Sequence, residues 1–467
     1  MSPRRAHARD LLVAVDRSGA LPVGRQLEAQ LRAAIRSGAL SAGTSLPSTR
    51  ALAEDLAVSR GVVVRAYAQL AAEGYLDLRQ GASPRVREIP RAGHAPARPA
   101  PVETRILYDL RAHQPEVATF PRQLWLRAVR DALAGATNAE LGYVDERGIR
   151  KLRTEVSDYL GRARGVVADP DHVVVTAGVT HAVSLIGRAL ARRGATQMAF
   201  ENPSHRVLHA AAERAGQVPV GVPVDTRGLR TDMLAGVDSV VVSPAHQFPT
   251  GVALAADRRA GLIGWARTTG GLVIEDDYDA ELRYERSPVG AVQGLAPEHV
   301  AYVGSTGKTL VPAIRLGWAV LPPSVLDAVA DELSRTMLFV SGIDQLAFAE
   351  FLRRGELDRH LRRMRAIYRA RRDVLVEALE RHLPELHVTG IAAGLHVVLE
   401  LPARELEGPA VEQARAAGVL VQSVSQHALP GFDGLPALLV GYGTVPEPTL
   451  PRAVELLARA VRTAAGW

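Results

Sequence analysis

The chain has 467 residues, 47% of them apolar, no cysteine, and a net charge of +6. That length exceeds one ordinary core and suits a small domain joined to a large one. The missing cysteines exclude disulfides and thiolate metal sites and make a reducing compartment, such as the cytoplasm, the natural home. No run of about 20 uncharged apolar residues exists to cross a membrane, and the basic start of the chain lacks the apolar stretch of a signal peptide.

The positive charge is unevenly placed. Residues 1–105 hold 16 arginines against 9 acids, an excess of +7, while the remainder, with 40 basic against 41 acidic residues, is close to neutral. A basic head that meets a polyanion and a body that does not would look like this, as would an ordinary basic surface.

From the N-terminus, Leu27, Leu31 and Ile35 repeat at helical spacing up to Ser37-Gly38. Pro47-Ser48 opens a second helix through Leu52 and Leu56. Val58-Ser59 makes the turn and cap of a third, about 59–72, through Val63, Tyr67 and Leu70. Tyr75–Leu78 and a segment near Val86 then pair as a hairpin across Arg79-Gln80-Gly81. Two helices joined by a tight turn and followed by a hairpin read as a winged helix-turn-helix over 11–87, with the third helix in the DNA major groove. The candidate DNA contacts are Ser59, Arg60 and Arg65 on that helix, Arg50 at the start of the preceding one, and Arg79 and Arg85 beside the wing, because arginine both reads guanine edges and clamps phosphates. A three-helix packing module without a DNA role is the alternative.

Residues 88–107 are rich in proline, alanine and arginine and lack periodic apolar positions, as expected of an extended linker. From 108 to 467, short apolar runs at 173–175, 240–242, 272–274 and 301–303 alternate with helical stretches such as 180–193 and 256–269. This predicts an α/β domain on a mainly parallel sheet. Beyond about residue 330, Arg-rich amphipathic helices and a strand at 396–400 predict a smaller α+β lobe.

Three motifs in the body carry chemistry. Tyr302–Trp318 runs from a strand into a small-residue loop that presents Lys308, with Arg315 seven residues on. Among 54 arginines only Lys151 and Lys308 are lysines, and an imine requires an amine that arginine cannot supply. The competing P-loop reading fits only at Gly307-Lys308-Thr309, because Tyr302 stands where its first glycine belongs. Leu272–Asp279 is a strand that ends in acids, suited to a ligand site, a metal or a solvated loop; no histidine cluster accompanies it, which weakens the metal reading. Val173–Ala182 takes a strand through Gly178 into a helix whose first amides suit a phosphate.

Leu46–Ala53, Val58-Ser59-Arg60, Ala66–Leu70 and Glu73–Leu76 resemble the GntR-type DNA-binding domain. The three body motifs, with Phe120-Pro121, Gly142-Tyr143, Glu201-Asn202-Pro203 and Pro244–Gly251, resemble fold type I aminotransferases. Head and body together resemble the MocR family of regulators over essentially the whole chain from about residue 20. The resemblance implies a transcription regulator that binds operator DNA and pyridoxal 5'-phosphate, and that forms a head-to-tail swapped homodimer. It implies DNA contacts from Arg50, Ser59, Arg60 and the wing. It makes Lys308 the Schiff-base lysine, Asp276 (with Asp277 as second choice) the partner of the pyridine nitrogen, and Tyr278 the partner of the ring oxygen. Arg315, Ser305 and the amides of Val179 and Thr180 become the phosphate cup, and Lys151 a surface charge. His205 stands where the family usually stacks a tyrosine on the cofactor, and Gly307 where a hydroxyl-bearing residue usually precedes the lysine. Val207 and the stretch Leu435–Tyr442 lack the arginines with which amino-acid-sensing members hold a carboxylate. These departures point to pyridoxal phosphate itself as effector, as in the branch that senses vitamin B6, and to a body that regulates rather than turns over substrate. A working aminotransferase with a fused head, and a regulator sensing a different ligand, are the rivals.

Overall fold

In the first unit, Leu27 and Leu31 are fully buried on one face of α1 (Val23–Ser37), which ends where Gly38 takes a left-handed conformation, φ +80°. Ser48 caps α2 (Thr49–Asp55), its Oγ accepting from the Ala51 amide at 3.2 Å. The helix α3 (Arg60–Ala72) follows after Ser59 and lays Val63, Tyr67 and Leu70 against the other two. The Tyr67 hydroxyl donates to the Pro47 carbonyl at 3.0 Å. Strands β1 (Leu76–Asp77) and β2 (Arg85–Val86) pair antiparallel, Leu76 opposite Val86. The hairpin differs from expectation in its loop, which spans residues 78–84 rather than three. Pro84 cannot donate to a ladder, and β2 takes its other partner from Ser45.

The computed structural model describes residues 13–18, 21–88, 105–284, 289–390 and 393–467. They fall into two compact units, one on each side of the segment 89–104. Most of the expected linker, 88–107, therefore lies outside the described residues, as do positions 11 and 12 of the expected head.

The body is built on an eight-stranded sheet. Helix α4 (Arg150–Arg164) precedes β3 (Val173–Thr176), and α5 (Val179–Ala191) leads on to β4 (Gln197–Asn202). Then come α6 (Arg206–Arg214), β5 (Val218–Asp225), β6 (Gly228–Leu229), β7 (Ser239–Val242), α7 (Ala256–Thr269), β8 (Leu272–Asp277), β9 (Val300–Ser305) and β10 (Gly317–Val320). The order is β3-β10-β9-β8-β7-β4-β5-β6. The strands expected from the valine- and isoleucine-rich runs are present and pair parallel through β9, β8, β7, β4 and β5. The short β6 is antiparallel to β5, and strand β10 is antiparallel to both β9 and β3. Its insertion requires glycine: a Cβ on Gly317 would sit 2.8 Å from the Gly178 Cα and the Gly304 carbonyl. Strands β3, β7 and β8 are buried on both faces, which is why they read as continuous apolar runs.

The smaller lobe packs α8 (Glu356–His382) and α9 (Leu450–Ala465) beside an antiparallel sheet in the order β11 (Val388–Thr389), β12 (His396–Glu400), β14 (Ala437–Gly441), β13 (Gln422–Ser423). No described helix is long and apolar enough to cross a membrane.

At the end of β8 the Asp277 carboxylate is buried with the Arg164 guanidinium, Nε to Oδ2 2.7 Å, and accepts from the Tyr302 hydroxyl at 2.8 Å. Arg164→Met would leave that carboxylate buried and unpaired, a loss of about 3–5 kcal/mol. All four tryptophans lie in the body, so tryptophan fluorescence during urea unfolding of the full chain reports on the body and should show the loss. An unchanged midpoint would contradict this role for the pair.

Candidate functional site

The carboxyl ends of β3, β4, β7, β8 and β9 share one edge of the sheet, where α/β proteins place their ligands. A cavity opens there, and Val179, Thr180, His205, Asp276, Tyr278, Ser305, Lys308 and Arg315 all line it. The residues singled out for the body are thus brought together, from five separate segments.

At one end the chain leaves β3 through Gly178, φ +112°, into α5. The Val179 and Thr180 amides, in the first turn of α5, have no protein acceptor among the described residues, and a helix start attracts anions. Arg315 precedes β10 in a left-handed conformation, φ +52°. Its guanidinium reaches the Gly178 turn (a Cβ on Gly178 would lie 3.9 Å from Nη2) and pairs with no carboxylate among the described residues. Ser305 caps the single helical turn Thr306–Thr309, its Oγ accepting from the Gly307 amide at 3.3 Å. Two amides, a hydroxyl and a free guanidinium make a cup for an anion such as a phosphate.

In the middle stands Lys308. Its Nζ donates to the His113 carbonyl at 2.6 Å. Burial lowers its pKa to about 8, although Asp279 and Asp276 pull the other way. Strand β8 supplies the acids. Asp277 is engaged by Arg164 and Tyr302, whereas Asp276 Oδ1 is buried with no partner and faces the cavity. Burial, reinforced by the charges of Asp277 and Asp279, raises the Asp276 pKa to about 8. Between the two acids, Asp276 is therefore the one with a free oxygen for a ligand. Tyr278 also faces the cavity, and its hydroxyl is 3.1 Å from His246 Nδ1, which lies 2.9 Å from Asp279 Oδ2. His205 caps α6 through Nδ1, 3.4 Å from the Val207 amide, and burial lowers its pKa to about 4, so its ring is neutral at neutral pH.

The donor set fits a phosphorylated pyridine aldehyde. It has an anion cup, an amine that is easily made neutral, and a carboxylate oxygen without partner for a protonated ring nitrogen. Among the described residues Arg315 is the only arginine lining the cavity. Val207, on α6, is half exposed, and β14 buries Ala437–Gly441 without a charged side chain. Lys151 lies on α4, half exposed, 3.3 Å from Glu140. Among the described residues no group of three or more His, Asp or Glu is arranged to hold a metal.

One lining residue escaped the sequence reading. His113 is buried, holds φ +64°, and leaves both ring nitrogens without a partner. Neither its strain nor its direction has a local sequence signal. Phe248, beside it at a ring separation of 4.0 Å, lies in the quoted segment 244–251 but had no assigned role.

In the head, Arg50, Ser59, Arg60, Arg65 and Arg79 are all exposed. Arg50, Arg60 and Arg65 pair with no acid among the described residues. Arg65 folds back over the start of α3, so that a Cβ on Gly61 would lie 3.5 Å from its Nη1 and 4.0 Å from Ser59 Oγ. Arg79 differs: its Nε donates to Asp77 Oδ2 at 3.3 Å.

Residues 109–433 match the family described as Aminotransferase class I and II, and residues 24–86 that described as Bacterial regulatory proteins, gntR family. The chain is 31% identical to the HTH-type pyridoxine biosynthesis transcriptional regulator PdxR of Corynebacterium glutamicum, over 97% of this chain and 99% of that one. It is also 31% identical to the probable rhizopine catabolism regulatory protein MocR of Rhizobium meliloti, over 96% of each. Among solved structures, an archaeal alanine:glyoxylate aminotransferase superposes with TM-score 0.69 at 26% identity, covering 76% of this chain and 91% of that one. A multiple substrate aminotransferase from Thermococcus profundus gives 0.71 at 25%, covering 78% and 93%.

An amine with a pKa of about 8 is roughly one-tenth neutral at pH 7 and nine-tenths neutral at pH 9. Reductive methylation of Lys308 by formaldehyde, followed by peptide mass analysis, should therefore accelerate about ten-fold between those pH values and then level off. A rate still climbing steeply beyond pH 9 would show an ordinary lysine.

Proposed function

The chain belongs to the aminotransferase class I and II family, in its branch of MocR-type transcription regulators with a GntR-family head, and from that premise we propose that its body holds pyridoxal 5'-phosphate and reports the cofactor's presence to the DNA-binding head. The observation that carries this reading is the convergence of an unpaired guanidinium, a depressed amine and a partnerless carboxylate oxygen on one cavity. Bound there, pyridoxal phosphate supplies an aldehyde for a primary amine and an electron-accepting ring. Lys308 offers the amine. Asp276 holds a proton at the ring nitrogen, and Tyr278 hydrogen-bonds the ring oxygen. Arg315, Ser305 and the Val179 and Thr180 amides hold the phosphate, and the neutral His205 ring covers the pyridine face. In the head, Arg50, Ser59, Arg60 and Arg65 meet operator DNA from α2 and α3, and Arg79 from the wing.

The wall of the cavity supports regulation rather than turnover. Among the described residues a substrate carboxylate would find no arginine lining the cavity apart from Arg315, which serves the phosphate, and a buried unpaired carboxylate is costly. Pyridoxal phosphate is then itself the effector, provided that it binds the two states of the body with different affinity. The name of the Corynebacterium relative, a regulator of pyridoxine biosynthesis, supports the same reading. The swapped homodimer has a candidate face in Leu141, Tyr143, Phe339 and Ile343, exposed apolar residues that line one groove of the body. The cytoplasm is the compartment where such a protein meets its operator. The amine and carboxylate set would equally serve a working aminotransferase; release of a keto acid from an amino donor would select that rival.

Wild type, Lys308→Ala and Lys151→Ala, each incubated with pyridoxal phosphate and desalted, should divide by their visible spectra: a retained band in wild type and Lys151→Ala, none in Lys308→Ala. A wild type that retains no band would overturn the cofactor reading and leave a sensor for another ligand. For the head, Arg60→Ala should weaken binding to a selected operator by about 1–3 kcal/mol, with Lys151→Ala unchanged; equal effects would remove α3 as the reading helix. Titrating pyridoxal phosphate should shift operator affinity, and a flat titration would exclude it as effector.

A further inference from the structure

His113 combines three properties that rarely coincide. Its backbone is left-handed, φ +64°, a conformation that a non-glycine residue holds only when its surroundings enforce it. Its imidazole is buried, yet neither Nδ1 nor Nε2 has a hydrogen-bond partner. Leaving such a group unsatisfied costs about 1–3 kcal/mol, and the usual reason is a ligand or water that completes it. It lines the cavity of Lys308 and Asp276, and its carbonyl accepts from Lys308 Nζ at 2.6 Å, so the ring stands next to the amine. Around it are rings: Phe248 at 4.0 Å, Tyr278 at 4.8 Å, His205 at 5.4 Å and His396 at 5.5 Å between centroids.

We propose that His113 is a specificity-determining residue, whose imidazole reads a neutral polar group, a hydroxyl or a carboxamide, on a primary amine bound beside Lys308, so that the body takes amino alcohols and amino amides in preference to α-amino acids. The inference rests on the pyridoxal phosphate reading above. A neutral imidazole offers one donor and one acceptor. A hydroxyl or carboxamide can answer both, whereas a carboxylate only accepts and brings a charge that this wall does not balance. Burial and the neighbouring Lys308 charge keep the His113 ring neutral, its pKa well below the ordinary histidine value. Sites built on hydrogen bonds discriminate strongly, because the wrong ligand strands a buried polar group.

Alanine and alaninol share a skeleton and differ only in carboxylate against hydroxymethyl. Both, with alaninamide, would be titrated into full-length protein loaded with pyridoxal phosphate, following the visible band and the melting temperature. Alaninol and alaninamide should half-saturate the spectral change at concentrations at least ~10-fold below alanine. His113→Phe, which keeps a ring and removes both nitrogens, and His113→Gly, which suits the left-handed backbone, should each bring the ratio to within about two-fold while retaining the band. Alanine acting as well as alaninol on the wild type, no response to any of the three, or a preference that survives in both variants would overturn the assignment. A wild type that loads no cofactor removes the premise and the inference with it; a loaded wild type without the preference removes the inference alone.

Discussion

A primary amine is held inside this protein without a carboxylate bonded to it. Lys308 Nζ has one hydrogen bond, to a backbone carbonyl, although Asp276, on β8, and Asp279, just after it, both act on its charge. A direct ion pair with either of them would hold the amine as an ammonium and occupy the carboxylate. The surroundings prevent that one acid at a time. Arg164 and Tyr302 engage Asp277, and His246 engages Asp279, while Asp276 stays separate and is raised by burial. The Arg164–Asp277 pair leaves Asp276 as the acid of β8 with a free oxygen at the cavity.

The anion cup depends on a second constraint, the close passage of three backbone segments. Strand β10 runs antiparallel between β3 and β9, so that Gly317 faces Thr176 on one side and Ser305 on the other. Glycine at 317 permits that approach, since a Cβ there would sit 2.8 Å from the Gly178 Cα and the Gly304 carbonyl, and Gly178 itself holds φ +112°. Once β10 begins there, Arg315, two residues earlier, is delivered to the start of α5 at the same edge as Ser305. A larger residue at Gly317 would push the arginine away from the amides that share its anion.

Much of this was legible in residue chemistry. The scarcity of lysine marked Lys308, because an amine surviving among 54 arginines suggests that the amine is needed. Apolar runs located the parallel strands, since strands covered on both faces leave an uninterrupted hydrophobic trace. In the body, arginines such as Arg153, Arg258 and Arg371 bridge to acids; in the head Arg25, Arg32 and Arg79 do so too, while Arg50, Arg60 and Arg65 are exposed and pair with no acid among the described residues. What stayed hidden was tertiary. Strand β10 is four residues of unremarkable composition whose partners lie far away in sequence. The choice between Asp276 and Asp277 turned on Arg164, more than a hundred residues upstream. His113 sits in a segment with no motif, and a positive φ at a histidine leaves no local trace.

Several of the partnerless buried atoms stand at or behind the cavity: Asp276 Oδ1, both His113 nitrogens, and Arg164 Nη1 and Nη2. Each would be more stable satisfied or replaced by an apolar group of the same shape. A fold selected only for stability would have closed the space, since local rules of packing and polar satisfaction tend to fail where function demands it. A ligand that supplies a proton to Asp276, a partner to His113 and an anion to Arg315 relieves several of these penalties together. The free energy of binding then comes as much from completing the protein as from contacts with the ligand, and it is available only in the conformation that presents those atoms. That is the physical requirement for a body whose conformation follows its ligand.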